Sequence, residues 1–258
     1  MQKQGLLNGL AYGAMGLLLT AGTAATFLLP PGADFREPQL ARILCFHLPC
    51  ATLSSIFIFF GSYLSLRYLM SQDQMWDVRA SAANSMGYLL SLLTMATGIL
   101  FSKAQWGAWW QWDPRQTSYL LLLLVYAAYF ALRAGFTDER RRAANSAAYS
   151  CVGAIAAFFL IFVFPHLPQV QQTSFHPSNT VVGGGLNNQY GVVVMINIVG
   201  VLVFCICAYR LQVRAGKLQM RAQEMYANLG IYSGNTAPTG VVRPVSIPSE
   251  SESKRPLG

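Results

Sequence analysis

The chain has 258 residues, of which 53% are hydrophobic and only 11% charged, against about 25% charged in a soluble domain. So few charges cannot cover a water-exposed surface, which excludes an ordinary soluble enzyme, and so apolar a chain is not disordered over most of its length. The net charge of +8 does not point to nucleic acid, because the basic residues lie between long apolar runs, where they set membrane orientation.

Six apolar stretches follow one another. They run from about Leu6 to Leu29, Ile43 to Leu69, Ala82 to Phe101, Ser118 to Leu132, Ala144 to Phe164 and Tyr190 to Tyr209. A helix needs about 20 apolar residues to cross a hydrocarbon core, and most of these qualify. The fourth is the shortest as drawn, with room to begin one turn earlier. The first is too long for the apolar region of a signal peptide and no A-x-A-like site follows it, so it reads as a retained helix. There is no internal repeat and no strand pattern. The expected fold is therefore an all-α integral membrane protein, a bundle of six transmembrane helices over residues 1–210. Residues 211–258 read as a basic and then disordered tail: Arg210 to Tyr226 is basic and suited to the membrane surface, and Gly, Ser, Pro and charge dominate after Asn228.

Lys and Arg give the orientation. Lys3, Arg67, Arg79, Arg133, Arg140, Arg141, Arg142 and seven more from Arg210 onward fall on one side of a six-span topology. Only Arg36, Arg42, Lys103 and Arg115 fall on the other. The positive-inside rule then predicts cytoplasmic termini and outward loops at about 30–42, 102–117 and 165–189. The five cysteines, Cys45, Cys50, Cys151, Cys205 and Cys207, include no C-x-x-C-H, so covalent haem attachment is not indicated. Cys45 and Cys50 within one helix are poorly placed for a disulfide, and small apolar packing is the expected role of all five.

Chemistry concentrates in the second outward loop, Trp106-Gly107-Ala-Trp109-Trp110-Gln-Trp112-Asp113-Pro-Arg-Gln-Thr117, which holds four of the five tryptophans. An interfacial aromatic belt spreads its indoles over several helix ends; this chain gathers them in one place. If the segment is helical, Trp106, Trp109, Trp110 and Asp113 share a face. Three indoles with a carboxylate at the end then form an apolar platform for a large planar aromatic ligand, or for a second protein. Asp113 before Pro114, with Gln116 three residues on, also fits an N-cap with a capping-box Gln. Capping and a ligand-side role are both open and compatible.

All three histidines, His47, His166 and His176, map to the outward half. Each alone is satisfied by a backbone carbonyl at the interface. Together, two neutral imidazoles from different loops can ligate one iron from opposite faces, with the tryptophan segment between them in sequence. A non-haem metal site is less well supplied, because His166 and His176 have no acidic residue in their loop. Arg42, Lys103 and Arg115 flank these groups as candidate propionate contacts, although interfacial anchoring explains each one singly.

The run W-G-A-W-W-Q-W-D-P-R-Q-T resembles the W-G-x-W-W-x-W-D segment of the tryptophan-rich haem-handling proteins of cytochrome c biogenesis. Over roughly residues 1–210, the span count and length resemble the haem exporter protein C (CcmC) family of the System I pathway. The resemblance implies non-covalent haem b held by the platform Trp106, Gly107, Trp109, Trp110, Trp112 and Asp113. It implies His47, in Phe-His-Leu-Pro, as one axial ligand to the haem iron and His176 as the other, with His166 as the alternative. It also implies presentation of haem to the periplasmic chaperone CcmE, with the ABC transporter subunits CcmA and CcmB and the small membrane protein CcmD as partners, in a bacterial inner membrane. The expected role is binding and delivery, not catalysis. The Gly183-Gly184-Gly185 run reads either as a hinge for haem exchange or as a slack connector.

Two other functions compete. A System II haem–apocytochrome ligase component belongs to the same tryptophan-rich group, but such proteins are larger, with more helices and with histidines inside the spans. A haem-independent transporter needs ionisable groups near mid-span, and no acidic residue falls there.

Overall fold

A computed structural model describes residues 2–33, 35–176 and 188–228, without the side chains of residues 2–8 and 227. The Gly183–Gly185 run and the tail beyond Asn228 lie outside the described residues. No charge or proline interrupts the chain between Leu6 and Leu29, and this stretch forms most of α1 (Gln2–Leu28). Pro30 and Pro31 then remove two successive backbone donors. A 3-10 turn, Pro38–Ile43, leads into α2 (Leu44–Ser71), followed by α3 (Gln74–Trp106), α4 (Pro114–Gly135), α5 (Glu139–Phe158), the single turn α6 (Pro168–Gln171) and α7 (Asn188–Asn228). There is no strand among the described residues.

Three starts are set by the same chemistry. Asp73, Asp113 and Asp138 each accept backbone N–H groups at the N-terminus of α3, α4 and α5, providing acceptors for donors that have no partner within the helix. Asp73 accounts for α3 beginning well before the apolar run at Ala82. Its first turns are polar yet helical, and the guanidinium carbons of Arg67 and Arg79 lie 4.6 and 4.8 Å from the Trp76 ring centroid, a cation–π arrangement.

Helix α2 packs most extensively on α3 and next on α5, while α4 packs on α5 and α3. Gly61 of α2 abuts Asn84 of α3, and Gly87 of α3 abuts Ile58 of α2; the missing side chains allow the close approach expected where lipid supplies no hydrophobic force between helices. Between the helices, Ser62 Oγ donates to the Ser150 carbonyl at 2.9 Å and Asn84 Nδ2 to Ser150 Oγ at 3.1 Å. Helix α1 joins α7 through Asn197 Nδ2, which donates to Thr26 Oγ1 at 3.0 Å, and through Gly200 against Leu18. At the start of α3, Asp77 pairs with Arg133 of α4 through two bonds of 2.6 and 2.9 Å.

Six helical segments are long and apolar enough to cross a membrane: Gly9–Leu28, Pro38–Ser71, Gln74–Trp106, Pro114–Gly135, Glu139–His166 and Asn188–Tyr226. Large apolar side chains such as Leu17, Val152 and Ile155 are exposed on them, as a lipid-facing surface requires. The protein is a multi-pass, all-helical membrane protein. The chain divides into residues 1–219 and 220–258; the described part of the second is residues 220–228, which are helical. All five cysteines are free, four of them buried and Cys151 half-buried.

Candidate functional site

At the end of the bundle away from the Asp77–Arg133 pair, a cavity of about 360 Å³ opens between α2, α3, α4, the end of α5 and the segment after α6. Its walls are mainly apolar, from Leu44, Leu48, Phe101, Leu160 and Ile161, and all three histidines line it.

His47 stands in the first turns of α2, next to the 3-10 turn. Its Nδ1 lies 3.0 Å from Thr97 Oγ1 of α3. Thr97 has a single hydroxyl proton, and its shortest contact, 2.7 Å, is to the Leu93 carbonyl. The oxygen is thereby left as an acceptor for the imidazole, which puts the ring proton on Nδ1 and the lone pair on Nε2. A metal-ligating histidine is oriented by this kind of outer hydrogen bond. The room for the ring comes from Gly98, where a Cβ would stand 3.1 Å from His47 Cε1.

His166 reaches the cavity by a distortion of α5. Pro165 has no N–H to continue the helix, and the Phe164 N–H bonds the Phe159 carbonyl, closing the π-helical turn Phe159–Val163. The 3-10 turn Phe164–His166 follows. His176 is half-buried, and it lines the same cavity as His47.

The tryptophan segment is not the helix whose shared face was expected. Helix α3 ends at Trp106 because Gly107 takes the left-handed conformation, φ 88°, that caps it. Residues 107–113 form an irregular loop, and α4 restarts at Pro114. Ser102 Oγ donates to the Ala108 carbonyl at 2.8 Å and Gln116 Nε2 to the Trp109 carbonyl at 3.1 Å. Gln116 Oε1 accepts the Gln111 N–H at 3.1 Å, so this side chain fastens the loop. Trp112 has φ 56°, a strained conformation for so bulky a residue.

Of the four indoles, Trp106 lines the cavity. It belongs to an aromatic group with Phe101 and Phe175, at centroid distances of 5.7 and 5.9 Å. Trp109 and Trp112 are 54% and 77% exposed, and Trp110 meets Trp112 edge-on at 5.9 Å. Gly107 is the helix cap and not part of the wall. The single platform therefore separates into one wall indole and an outward-facing set.

The three basic candidates also separate. Arg42 Nη2 donates to the Leu29 carbonyl at 2.5 Å. Lys103 Nζ donates to the Gly107 carbonyl at 3.0 Å and lies 5.9 Å from the Trp109 ring centroid. Neither lines the cavity; Arg115 does. Its Nε and Nη2 are buried with no hydrogen-bond partner. A buried guanidinium left this way carries a large desolvation cost, and of the three basic candidates Arg115 is the one beside the cavity. Asp113, 3% exposed, is the N-cap of α4, and its second oxygen accepts from Ser174 and Phe175.

Imidazole donors, apolar walls that admit an aromatic ring, and an unsatisfied guanidinium fit a haem. No cluster of three or more His, Cys, Asp or Glu among the described residues suits a bare metal ion. Thr97, Gly98, Phe101, Phe175 and Ser174 were not singled out by sequence, because each acts through a partner distant in the chain.

A family model described as "Heme exporter protein C" matches residues 2–228. Curated relatives bear the same description. The chain is 34% identical over 139 residues to that of Bradyrhizobium diazoefficiens, covering 54% of this chain and 52% of the relative. It is 30% identical over 158 residues to that of Rhodobacter capsulatus, covering 61% and 64%, and 33% identical over 136 residues to that of Escherichia coli K12, covering 51% and 53%. The match thus spans between about half and just under two thirds of these relatives' length.

Proposed function

Because the chain belongs to the heme exporter protein C family, we propose that its cavity holds haem b non-covalently as cargo for c-type cytochrome biogenesis. The observation that carries this reading is a cavity lined by three imidazoles and by Arg115, whose Nε and Nη2 have no hydrogen-bond partner. His47, with its lone pair on Nε2, and His176, with His166 as the alternative, would hold the iron. Arg115 pairs with a propionate, and Trp106 with Phe101 bounds the macrocycle. Arg42 and Lys103 act in fastening the outer segments.

The basic distribution supports cytoplasmic termini and a cavity facing the periplasm of a bacterial inner membrane. In this reading residues 1–210 form the haem-handling domain and 211–258 a cytoplasmic tail. Trp109 and Trp112, exposed beside the cavity, form the contact surface for the chaperone CcmE, with CcmA, CcmB and CcmD as further partners. The protein's work is to bind, orient and hand on the cargo; no residue is assigned a catalytic step.

The test uses purified protein in nanodiscs, titrated with haem and with haem whose propionates are esterified. Wild type prefers the free acid. A charge-assisted hydrogen bond contributes about 1.5–3 kcal/mol, so Arg115→Gln is expected to weaken free-acid binding by about tenfold or more and to leave the ester unchanged. Equal binding of the free acid by wild type and Arg115→Gln overturns the reading.

A further inference from the structure

The two oxygens of the Asp113 carboxylate serve different segments. Oδ1 accepts the N–H groups of Arg115 at 2.8 Å and Gln116 at 3.4 Å, which starts α4. Oδ2 accepts the Ser174 hydroxyl at 2.8 Å and the Phe175 N–H at 2.6 Å. Ser174 Oγ in turn accepts the His176 N–H at 3.2 Å. Within the loop, the Thr173 and Ser174 N–H groups bond back to the carbonyls of Val170 and Gln171. The bonds to Asp113 therefore connect this loop to α4.

We propose that Asp113 is a positioning residue for His176. One oxygen fixes the start of α4, and the other holds the loop that carries the imidazole over the cavity. The tryptophan segment, which ends on Asp113, and the His176 loop then move as one unit. Trp106 against Phe175 adds a ring contact across the same junction. The bonds are short and charge-assisted, the stronger class of hydrogen bond, and Asp113 is nearly fully buried, so water does not compete for them. The proposal rests on the reading of His176 as a haem ligand only for its spectroscopic consequence.

Chemistry separates the two duties. Asn caps a helix about as well as Asp, but it has one acceptor oxygen where Asp has two. In Asp113→Asn, an amide NH2 replaces one acceptor and meets donors, so the cap and the loop cannot both be held. Ser174→Ala is the milder companion: it removes the hydroxyl link and the acceptor of the His176 N–H, and keeps the Phe175 bond.

The experiment measures amide hydrogen exchange of the haem-free full chain in nanodiscs. Asp113→Asn is expected to speed exchange at Phe175 and His176 by about tenfold or more, the equivalent of one lost charged hydrogen bond, with the spans unchanged. Ser174→Ala is expected to show a smaller rise confined to the loop. Wild-type protection of 174–176 in both variants overturns the proposal. With haem bound, both variants are expected to lose part of the low-spin absorption, and added 1-methylimidazole to restore it. If His176→Ala removes the low-spin signal while Asp113→Asn and Ser174→Ala leave it untouched, positioning is refuted. If His176→Ala leaves that signal intact, the ligand reading fails instead, and the exchange data alone decide whether Asp113 holds the loop.

Discussion

Gly98→Leu is expected to abolish haem binding while leaving the fold intact. A Cβ at this position would already stand 3.1 Å from His47 Cε1, and the longer side chain takes the volume of the imidazole. Losing an outer partner of a metal ligand costs about 10–100-fold in affinity; displacing the ligand itself is expected to cost at least about 100-fold. Leucine is better than glycine in a helix interior by about 0.8–1 kcal/mol, which offsets part of the cost of displacing the imidazole. Haem affinity is therefore expected to fall far more than stability, which a general folding defect cannot imitate. A haem titration beside unfolding in mixed micelles reads both. Wild-type haem affinity in Gly98→Leu would show that His47 does not face the cargo.

The second large effect is on stability. Asp77→Ala is expected to destabilise the bundle by about 3–5 kcal/mol, because it leaves the Arg133 charge buried without its carboxylate. The pair is well enclosed, with side-chain exposures of 14% for Arg133 and 6% for Asp77. Replacing both residues with leucine is expected to recover most of the loss, since a well-packed apolar pair is often as stable as a buried ion pair. Unfolding by denaturing detergent, followed by circular dichroism, measures each variant. Equal stability of Asp77→Ala and wild type would place the pair in contact with water.

These effects lie at opposite ends of the bundle, and they were unequally legible in the sequence. Six spans could be read from hydropathy, and the start of α4 from Asp113-Pro114, because both signals are local. The Asp77–Arg133 pair was not legible: Asp77 precedes the apolar run at Ala82, and its partner is on another helix. The shared face of Trp106, Trp109, Trp110 and Asp113 was conditional on a helix through the segment, and that helix does not form. Helical spacing orders a face only where the helix persists, and Gly107 ends α3 one residue after the first tryptophan.

The cavity was partly legible. Topology alone placed His47, His166 and His176 on one side of the bundle, and the structure gathers them around one space. Which basic residue meets the ligand was not readable, since Arg42, Lys103 and Arg115 are all cations assigned to the same side of the membrane. Position separates them: Arg42 and Lys103 donate to carbonyls and do not line the cavity, and Arg115 does. The roles of Thr97 and Gly98 depend on α2 lying against α3, which no local pattern reports.

Imidazoles lining this cavity are proposed to ligate haem iron, and the visible absorption spectrum of the haem-loaded, purified protein tests this most directly. Wild type and His166→Ala are expected to show a low-spin, six-coordinate spectrum. His47→Ala and His176→Ala are each expected to lose it. An unchanged spectrum in His47→Ala, or its loss in His166→Ala alone, would contradict the account.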